Sequence, residues 1–450
     1  PGTTLPSFLA TAPIAPLLAL LLAIAPAPPS SAAVEVIRVT ATGREATTQS
    51  VPVAVTALDA QALERQGVTD MKSLAQLSPS LIVNSSNTET GGSTIRLRGV
   101  GTTGNNAGLE GSVGVFVDGV YLSRPGIAFS DLIDIERIEV LRGPQGTLFG
   151  RNTSAGAIDI KTRKPHFDGV EVRGDFTYGN YDQHLVTSVF NVPLVEDQLA
   201  FRFSGSYHTR EGFLDSRIGS IRSNDRNRYL LRGQLLWEPI DILSVRIIGD
   251  YFQAEEHCCD APIRHESPLF QGLFASGLGA ALFPSGDNGV QSNFGFSALD
   301  DRRTNPNRRR QNDQDQWGIS AQADAELPFG TLTYIGSYRD WFSWQAGDDD
   351  FTSNDIIRTE RSPAAVDLVT QELRLQGEWE WVNWLFGAYY AHEEIDTHGR
   401  LGLGTQYENY ANLIIGGLSG GALTVPTLTG VPNGQNFNFT NRTIGDNRFA

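Results

Sequence analysis

The chain has little of what holds most soluble or helical proteins together. Its 450 residues include two cysteines, adjacent at Cys258 and Cys259, so no disulfide framework builds the fold. Methionine occurs once, at Met71, and the sequence opens on Pro1, so the natural start is expected to differ from this one. Past the N-terminal segment, no apolar run reaches the roughly 20 residues of a membrane helix. That excludes a helical membrane protein. Basic residues are outnumbered, 35 Lys and Arg against 51 Asp and Glu, for a formal net charge of −16. With no basic stretch interleaved with aromatics, nucleic acid is excluded as a partner. No Ser/His/Asp set and no paired carboxylates stand out, so no catalytic site, enzyme activity or cofactor is expected.

What the chain has is glycine and alternation. In Ile135 to Pro165, IERIEVLRGPQGTLFGRNTSAGAIDIKTRKP, Gly143, Gly146, Gly150 and Gly156 break up short apolar runs. Glycine at such turns permits positive φ and close backbone contact, which predicts tight β packing with little helix. From Val170 the pattern changes to a period of two. Val170, Val172, Phe176 and Tyr178 interleave with Glu171, Arg173, Asp175 and Thr177, and Leu199, Phe201, Phe203 and Tyr207 with Arg202, Ser204, Ser206 and His208. Further copies run at Tyr229 to Glu238, Leu243 to Phe252, Trp317 to Leu327, Leu332 to Phe342 and Thr370 to Gly377. Each is close to the roughly 10 residues a tilted strand needs to cross a bilayer. A soluble sandwich with one wet face is the alternative. Against it, the polar face carries Arg232, Gln234, Arg246, Asp250, Gln322, Asp324, Glu326, Glu372, Arg374 and Gln376. Aromatics gather at strand ends, at Tyr178, Trp237, Tyr251, Trp341, Trp344, Trp381 and Trp384, as membrane girdles do.

Connection lengths favour the membrane reading. Links near 195–198, 238–241, 328–330 and 377–381 are tight, whereas those near 215–227, 258–313, 347–365 and from 400 onward are long. Only the first outer link, 180–183, is short out of turn. Short periplasmic turns and long extracellular loops produce this alternation. The N-terminus reads as an export signal: Leu17 to Ile24 is an apolar core, and Ser31-Ala32-Ala33 offers small residues for cleavage after Ala33.

The order of motifs that follows resembles the TonB-dependent outer-membrane receptors. After Glu35 to Gly43, EVIRVTATG, which by composition alone reads as a linker, come VPVAVTAL (Val51 to Leu58), DMKSLAQLSPSLIV (Asp70 to Val83), STIRLRGVG (Ser93 to Gly101), GVFVDGVYL (Gly114 to Leu122) and the block from Leu141 to Pro165. The likeness runs from Glu35 to the last residue, and in the barrel part includes QELRL at Gln371 to Leu375. It implies a signal peptide at 1–33, a TonB box and linker at 34–50, an α+β plug domain at 51–165, and at 166–450 the N-terminal part of a transmembrane antiparallel β-barrel. In this family the barrel has about 22 strands, and about nine are legible here, which predicts an incomplete chain with an open, partial barrel.

The same resemblance implies energy-coupled import of a scarce nutrient, first among candidates a ferric siderophore, with haem, cobalamin and oligosaccharide open. The TonB box would be Glu35, Val36, Ile37, Arg38, Val39, Thr40 and Ala41, an extended segment able to add as a strand to a partner's sheet edge. Its partners would be the inner-membrane TonB energy-transducing complex and outer-membrane lipid. A latch is implied as well, in which Arg98 and Arg142, with Arg96 as neighbour, face barrel glutamates such as Glu372. The competing role for these arginines is to satisfy buried carbonyls. A passive surface receptor or adhesin on the same barrel is the rival function.

Three further features are weighed on their chemistry. Arg302, Arg303, Arg308, Arg309 and Arg310 lie in the 258–313 loop, where guanidinium forks suit an anionic iron chelate or lipopolysaccharide phosphates. His257-Cys258-Cys259-Asp260 with His265 lacks the spacer of zinc sites, so a disulfide, vicinal or to another chain, is expected and a metal is not. Asp348-Asp349-Asp350 reads as a solvated acidic tip rather than a calcium site, and Gly99 to Gly104 is a GxGxxG followed by no helix signal.

Overall fold

The computed structural model describes residues 38–39, 46–47, 53–86, 88–89, 92–102, 109–216, 222–262, 302–304, 306–351, 354–420, 422–424 and 438–449. The proposed signal peptide and cleavage site lie outside these residues.

The N-terminal unit is a small mixed sheet. Its strands are β1 (Ala54–Asp59), β2 (Leu81–Ser85), β3 (Ser93–Leu97), β4 (Val113–Val117), β5 (Val120–Leu122), β6 (Ile135–Arg142) and β7 (Gly156–Thr162). Five of them align in the order β1-β6-β7-β4-β5, and β2 and β3 form a separate hairpin. The apolar runs seen in the sequence become its core: Leu74, Leu97, Ile138, Val140 and Ile158 are all almost fully buried. Helix α1 (Ala60–Arg65) is capped by Asp59, which accepts from Ala62 N–H at 2.7 Å, and α2 (Met71–Leu74) by a reciprocal Asp70/Ser73 box. A third, four-residue helix, α3 (Gly146–Phe149), lies in the 135–165 stretch, where little helix was expected. Asp118 and Gly119, at φ 50° and 83°, make the two-residue turn between β4 and β5, a conformation that an Asp-Gly pair adopts readily. Gly156 has no freedom to be anything else. At φ +150°, an added Cβ would stand 2.2 Å from the Leu141 carbonyl oxygen.

The C-terminal unit is one antiparallel wall. It comprises β8 (Glu171–Gly179), β9 (Gln183–Val195), β10 (Leu199–Arg210), β11 (Arg226–Ile240), β12 (Leu243–Glu256), β13 (Gln311–Leu327), β14 (Gly330–Asp348), β15 (Ile357–Arg361), β16 (Ala364–Trp379), β17 (Val382–Leu403) and β18 (Asn438–Phe449). These eleven strands pair in sequence, with the short β15 bridging the outer ends of β14 and β17. Edges β8 and β18 are not paired with each other among the described residues, so the sheet is open. Along each strand alternate side chains face opposite ways: on β10, Ala200, Arg202, Ser204 and His208 are buried against the plug, while Phe201 and Tyr207 are exposed. Phe176, Phe190, Leu231, Ile319 and Phe386 continue that exposed apolar band. No described helix is long and apolar enough to cross a membrane.

Three expectations change. The wall has eleven strands rather than about nine, because β15 and β18 are added. Residues 445–449, read as outer loop, belong to β18, whose sequence NFTNRTIGDNRF lacks a clean apolar alternation. Trp341 is no girdle residue: on β14 it shares a face with Ser337, Arg339 and Ser343, is 2% exposed, and packs into the plug core beside Val366 and Ile395.

Candidate functional site

The junction between plug and wall is built from buried charge. Strand parity turns Arg202, Arg228 and Arg246 of β10, β11 and β12 inward, and the plug meets them with acids from its loops. Arg202 donates to both Asp134 oxygens, at 2.6 and 2.7 Å, and to Glu171 at 2.8 Å. Arg246 donates to Asp118 at 3.2 Å and to the Thr162 hydroxyl at 2.7 Å. Asp118 also accepts the Thr162 N–H and O–H, at 3.0 and 2.6 Å. Burial pushes the Asp118 carboxyl up, but Arg246, Arg232 and the Thr162 bond outweigh it and hold the group below the usual carboxylate range.

Toward the outer end the acid is Glu89. It accepts from Arg226 at 2.7 Å and Arg228 at 3.0 Å, and Lys72 of the plug closes on it from the other side. Burial raises this carboxyl, yet Arg226, Arg228 and Lys72 together hold it well below its ordinary value. Arg228 is held in turn by Glu256, to which Nε and Nη2 each donate at 2.6 Å. On the opposite flank the polarity reverses, and Arg124 of the plug donates to the fully buried Glu393 of β17 at 3.1 Å. Between these clusters Ile127 and Ala128 pack with Trp341, Val366 and Ile395 in one apolar core. An interface whose energy sits in matched charges holds firmly when seated, and separates without exposing one large apolar face to water.

The latch anticipated from the sequence lies elsewhere. Arg142 donates to the carbonyls of Ala54 and Val55, at 3.3 and 3.4 Å, within the plug. Arg98 stands in an exposed turn at φ 52°, and Arg96 packs beside Gly101, where a Cβ would meet its Cγ at 2.4 Å. Glu372 pairs with Arg374 of its own strand at 3.1 Å and, with Lys161 of the plug, lines a cavity of about 660 Å³. Among the described residues no ion pair joins Arg96, Arg98 or Arg142 to Glu372. The acids that do hold the plug were readable only as loop residues. Their one signal was on the other side, an unusual run of arginines at lumen parity on the early strands of an acidic chain.

Of the segment expected to be a TonB box, Arg38 and Val39 are described and pair antiparallel with Thr47 and Ala46. Glu35, Val36, Ile37, Thr40 and Ala41 lie outside the described residues. The basic outer loop divides. Arg302 reaches the Tyr181 hydroxyl, Arg303 pairs in parallel with Asp215, Arg308 is 3.8 Å from Asp355, and Arg309 is exposed. Arg310 is buried, bonded to Asp260 and Asp349 at 3.3 Å each, and so serves the loop's base. Asp350 caps Ile356 and Ile357 N–H at 3.1 and 3.0 Å, so the acidic run orders its own loop. Cys258 and Cys259 are bonded to each other and buried beside Ser85 and Glu89. Three cations around Glu89 and two sulfurs bonded together make this grouping unsuited to a metal ion.

A small domain seated by charge against an antiparallel wall with an apolar outer face is the architecture of a plugged β-barrel. Residues 47–157 match the TonB-dependent Receptor Plug Domain model. It is 29% identical over 197 residues to the Ferrioxamine B receptor of Salmonella typhimurium, covering 42% of this chain and 26% of that protein. To the Pesticin receptor of Yersinia enterocolitica it is 36% identical over 175 residues, covering 38% and 23%. The matches thus span about a quarter of the length of these relatives. In fold it resembles the ferric yersiniabactin uptake receptor of Yersinia pestis, with TM-score 0.61 and 15% identity over 88% of this chain and 61% of that one. The siderophore receptor of Acinetobacter baumannii gives TM-score 0.59 at 15% identity, over 79% and 47%.

Proposed function

We propose that this chain is the plug domain, 51–165, and part of the wall, 166–450, of an outer-membrane importer. It takes a ferric siderophore and is driven by the TonB complex acting on Glu35 to Ala41. The observation that carries this reading is the plug's attachment by buried, matched charges, Asp134 with Arg202, Asp118 with Arg246 and Glu89 with Arg226 and Arg228. Such a plug stays closed unaided and yields to a directed pull. Two relatives named as receptors for ferrioxamine support the substrate class. On the outer face, Arg302, Arg303, Arg308 and Arg309 are exposed and offer guanidinium forks to an anionic chelate. Export is by the signal at 1–33, with cleavage after Ala33.

The test is uptake. Cells relying on the complete protein are given radiolabelled ferrioxamine B and, separately, ferric catecholate and haem. Accumulation of one ferric siderophore that stops when the proton gradient is collapsed is the expected result. Accumulation that ignores the gradient contradicts the reading.

A further inference from the structure

The two faces of the plug sheet are not alike. Along β7 the period of two sends Ile158 and Ile160 into the plug's own core, and Ala157, Asp159 and Lys161 to the face turned toward the wall. Farther from the tight turns that face is apolar, and Phe116, Tyr121, Leu141 and Ala157 pack there with Leu368 of β16 and Ala391 of β17. Nearer the tight turns it is charged, and the wall stands away from it. Gln322 of β13, Arg374 of β16 and Gly387 of β17 bound the cavity of about 660 Å³, with Asp159 and Lys161 opposite. That volume falls within the roughly 300–1,000 Å³ of sites that take a small molecule. Among its lining residues Glu136 and Lys164 are exposed, so the space is open to water on that side. Asp159 is 2% exposed. Lys161 Nζ approaches its Oδ2 at 3.1 Å, while Oδ1 has no hydrogen-bond partner among the described residues. A buried carboxylate oxygen without a donor is costly, and the polar space beside it is where a donor from water or a solute can stand.

We propose that this cavity is a second cargo site, a compartment in which a metal chelate is held between the outer loops and the tight-turn side of the wall. N–H or O–H groups of the chelate reach Asp159 Oδ1, and its outward oxygens meet the ammonium groups of Lys161 and Lys164. Its carbon skeleton lies on Phe149 and Tyr389, which also line the cavity. Asp134 with Arg202, and Glu89 with Arg228, are outside the lining, so the cavity can fill and empty while those anchors stay made. Toward the loops it is closed by the apolar contact of Phe116 and Tyr121 with Leu368 and Ala391, the contact a pull on the plug has to open.

What fills the cavity is taken from the importer reading, but its occupancy is measured without transport. The purified complete protein is titrated with ferrioxamine B by equilibrium dialysis, in which the chelate reaches the cavity from its open side. The parent is expected to bind one equivalent there, in addition to any at the outer loops. Gly387 is the position to fill: a Cβ added to it meets nothing nearer than 3.7 Å, which leaves room for a side chain in the cavity. Gly387→Phe is expected to lose one equivalent and Gly387→Ala to keep it. As a second assay, the thiol of Gly387→Cys should react with an aqueous maleimide, and about tenfold more slowly with ferrioxamine B at about ten times its dissociation constant. If the importer reading alone is wrong, the cavity equivalent is present but uptake ignores the proton gradient. Equal binding by the parent and Gly387→Phe, or labelling of Gly387→Cys that ferrioxamine B does not slow, would overturn the cavity site.

Discussion

Arg202 is 1% exposed and fully charged, and its two bonds to Asp134 join plug to wall. Removing one partner of such a pair leaves the other buried and uncompensated. Arg202→Ala should therefore weaken plug seating by about 3–5 kcal/mol, measured as protease susceptibility of the plug across a urea series. The joint variant Arg202→Met, Asp134→Leu should lose far less. Acid should act on the same junction through Asp118 and Glu89, whose carboxyls are held below their ordinary values. Depressed groups contribute stability above their unfolded values near 4, and that contribution disappears as pH falls through the folded ones. Plug protease resistance should hold from pH 7 to about 4 and decline progressively below it; resistance undiminished to pH 2 would contradict this. At this scale the sequence was half legible. Parity placed Arg202, Arg232 and Arg246 on the lumen face, but nothing local marks Asp118 or Asp134 as counterparts of Arg246 and Arg202, since those contacts span 68 residues or more along the chain.

Among elements, the wall strands were the most legible, because lipid on one side and a charged plug on the other impose a period of two with no exceptions to spare. Ile319 lies at the centre of β13, in register through Gly249 with Gly233, which is midway between the aromatic Tyr229 and Trp237 of β11, and is exposed on the lipid face. Ile319→Arg should cost about 2–4 kcal/mol of barrel stability, read from denaturant unfolding in liposomes. The same change at Asn227, beyond Tyr229, should cost little. In the plug, Gly156→Ala should destabilise β7 by forcing a Cβ against the Leu141 carbonyl, and plug melting with the wall intact is the measurement. What stayed illegible were β15, β18 and the outer helix α4 (Tyr407–Ser419). The first is only five residues long, the second polar on both faces, and the third lay in a stretch read as a loop. Trp341 was misassigned because aromatics at a strand end look alike from either face. Only the strand's register shows that this one points at the plug.

The whole molecule comprises a wall with an apolar outer face, a plug that meets the wall through charge, and an N-terminal segment to which the proposed function assigns the pull. The first two are on view in the packing of β8 to β17 around the plug. The third rests on the proposed box, of which Arg38 and Val39 alone are placed, paired with Ala46 and Thr47. The sharpest measurement is to delete Glu35 to Gly43 from the complete protein in cells and compare surface binding with uptake of the same ferric siderophore. Binding at the outer face should be unchanged, because the exposed arginines and their loops lie on the far side of the plug. Uptake should fall to the level of cells lacking the protein. Uptake that survives the deletion at the parent rate would mean that the plug opens without being pulled, and would contradict the account.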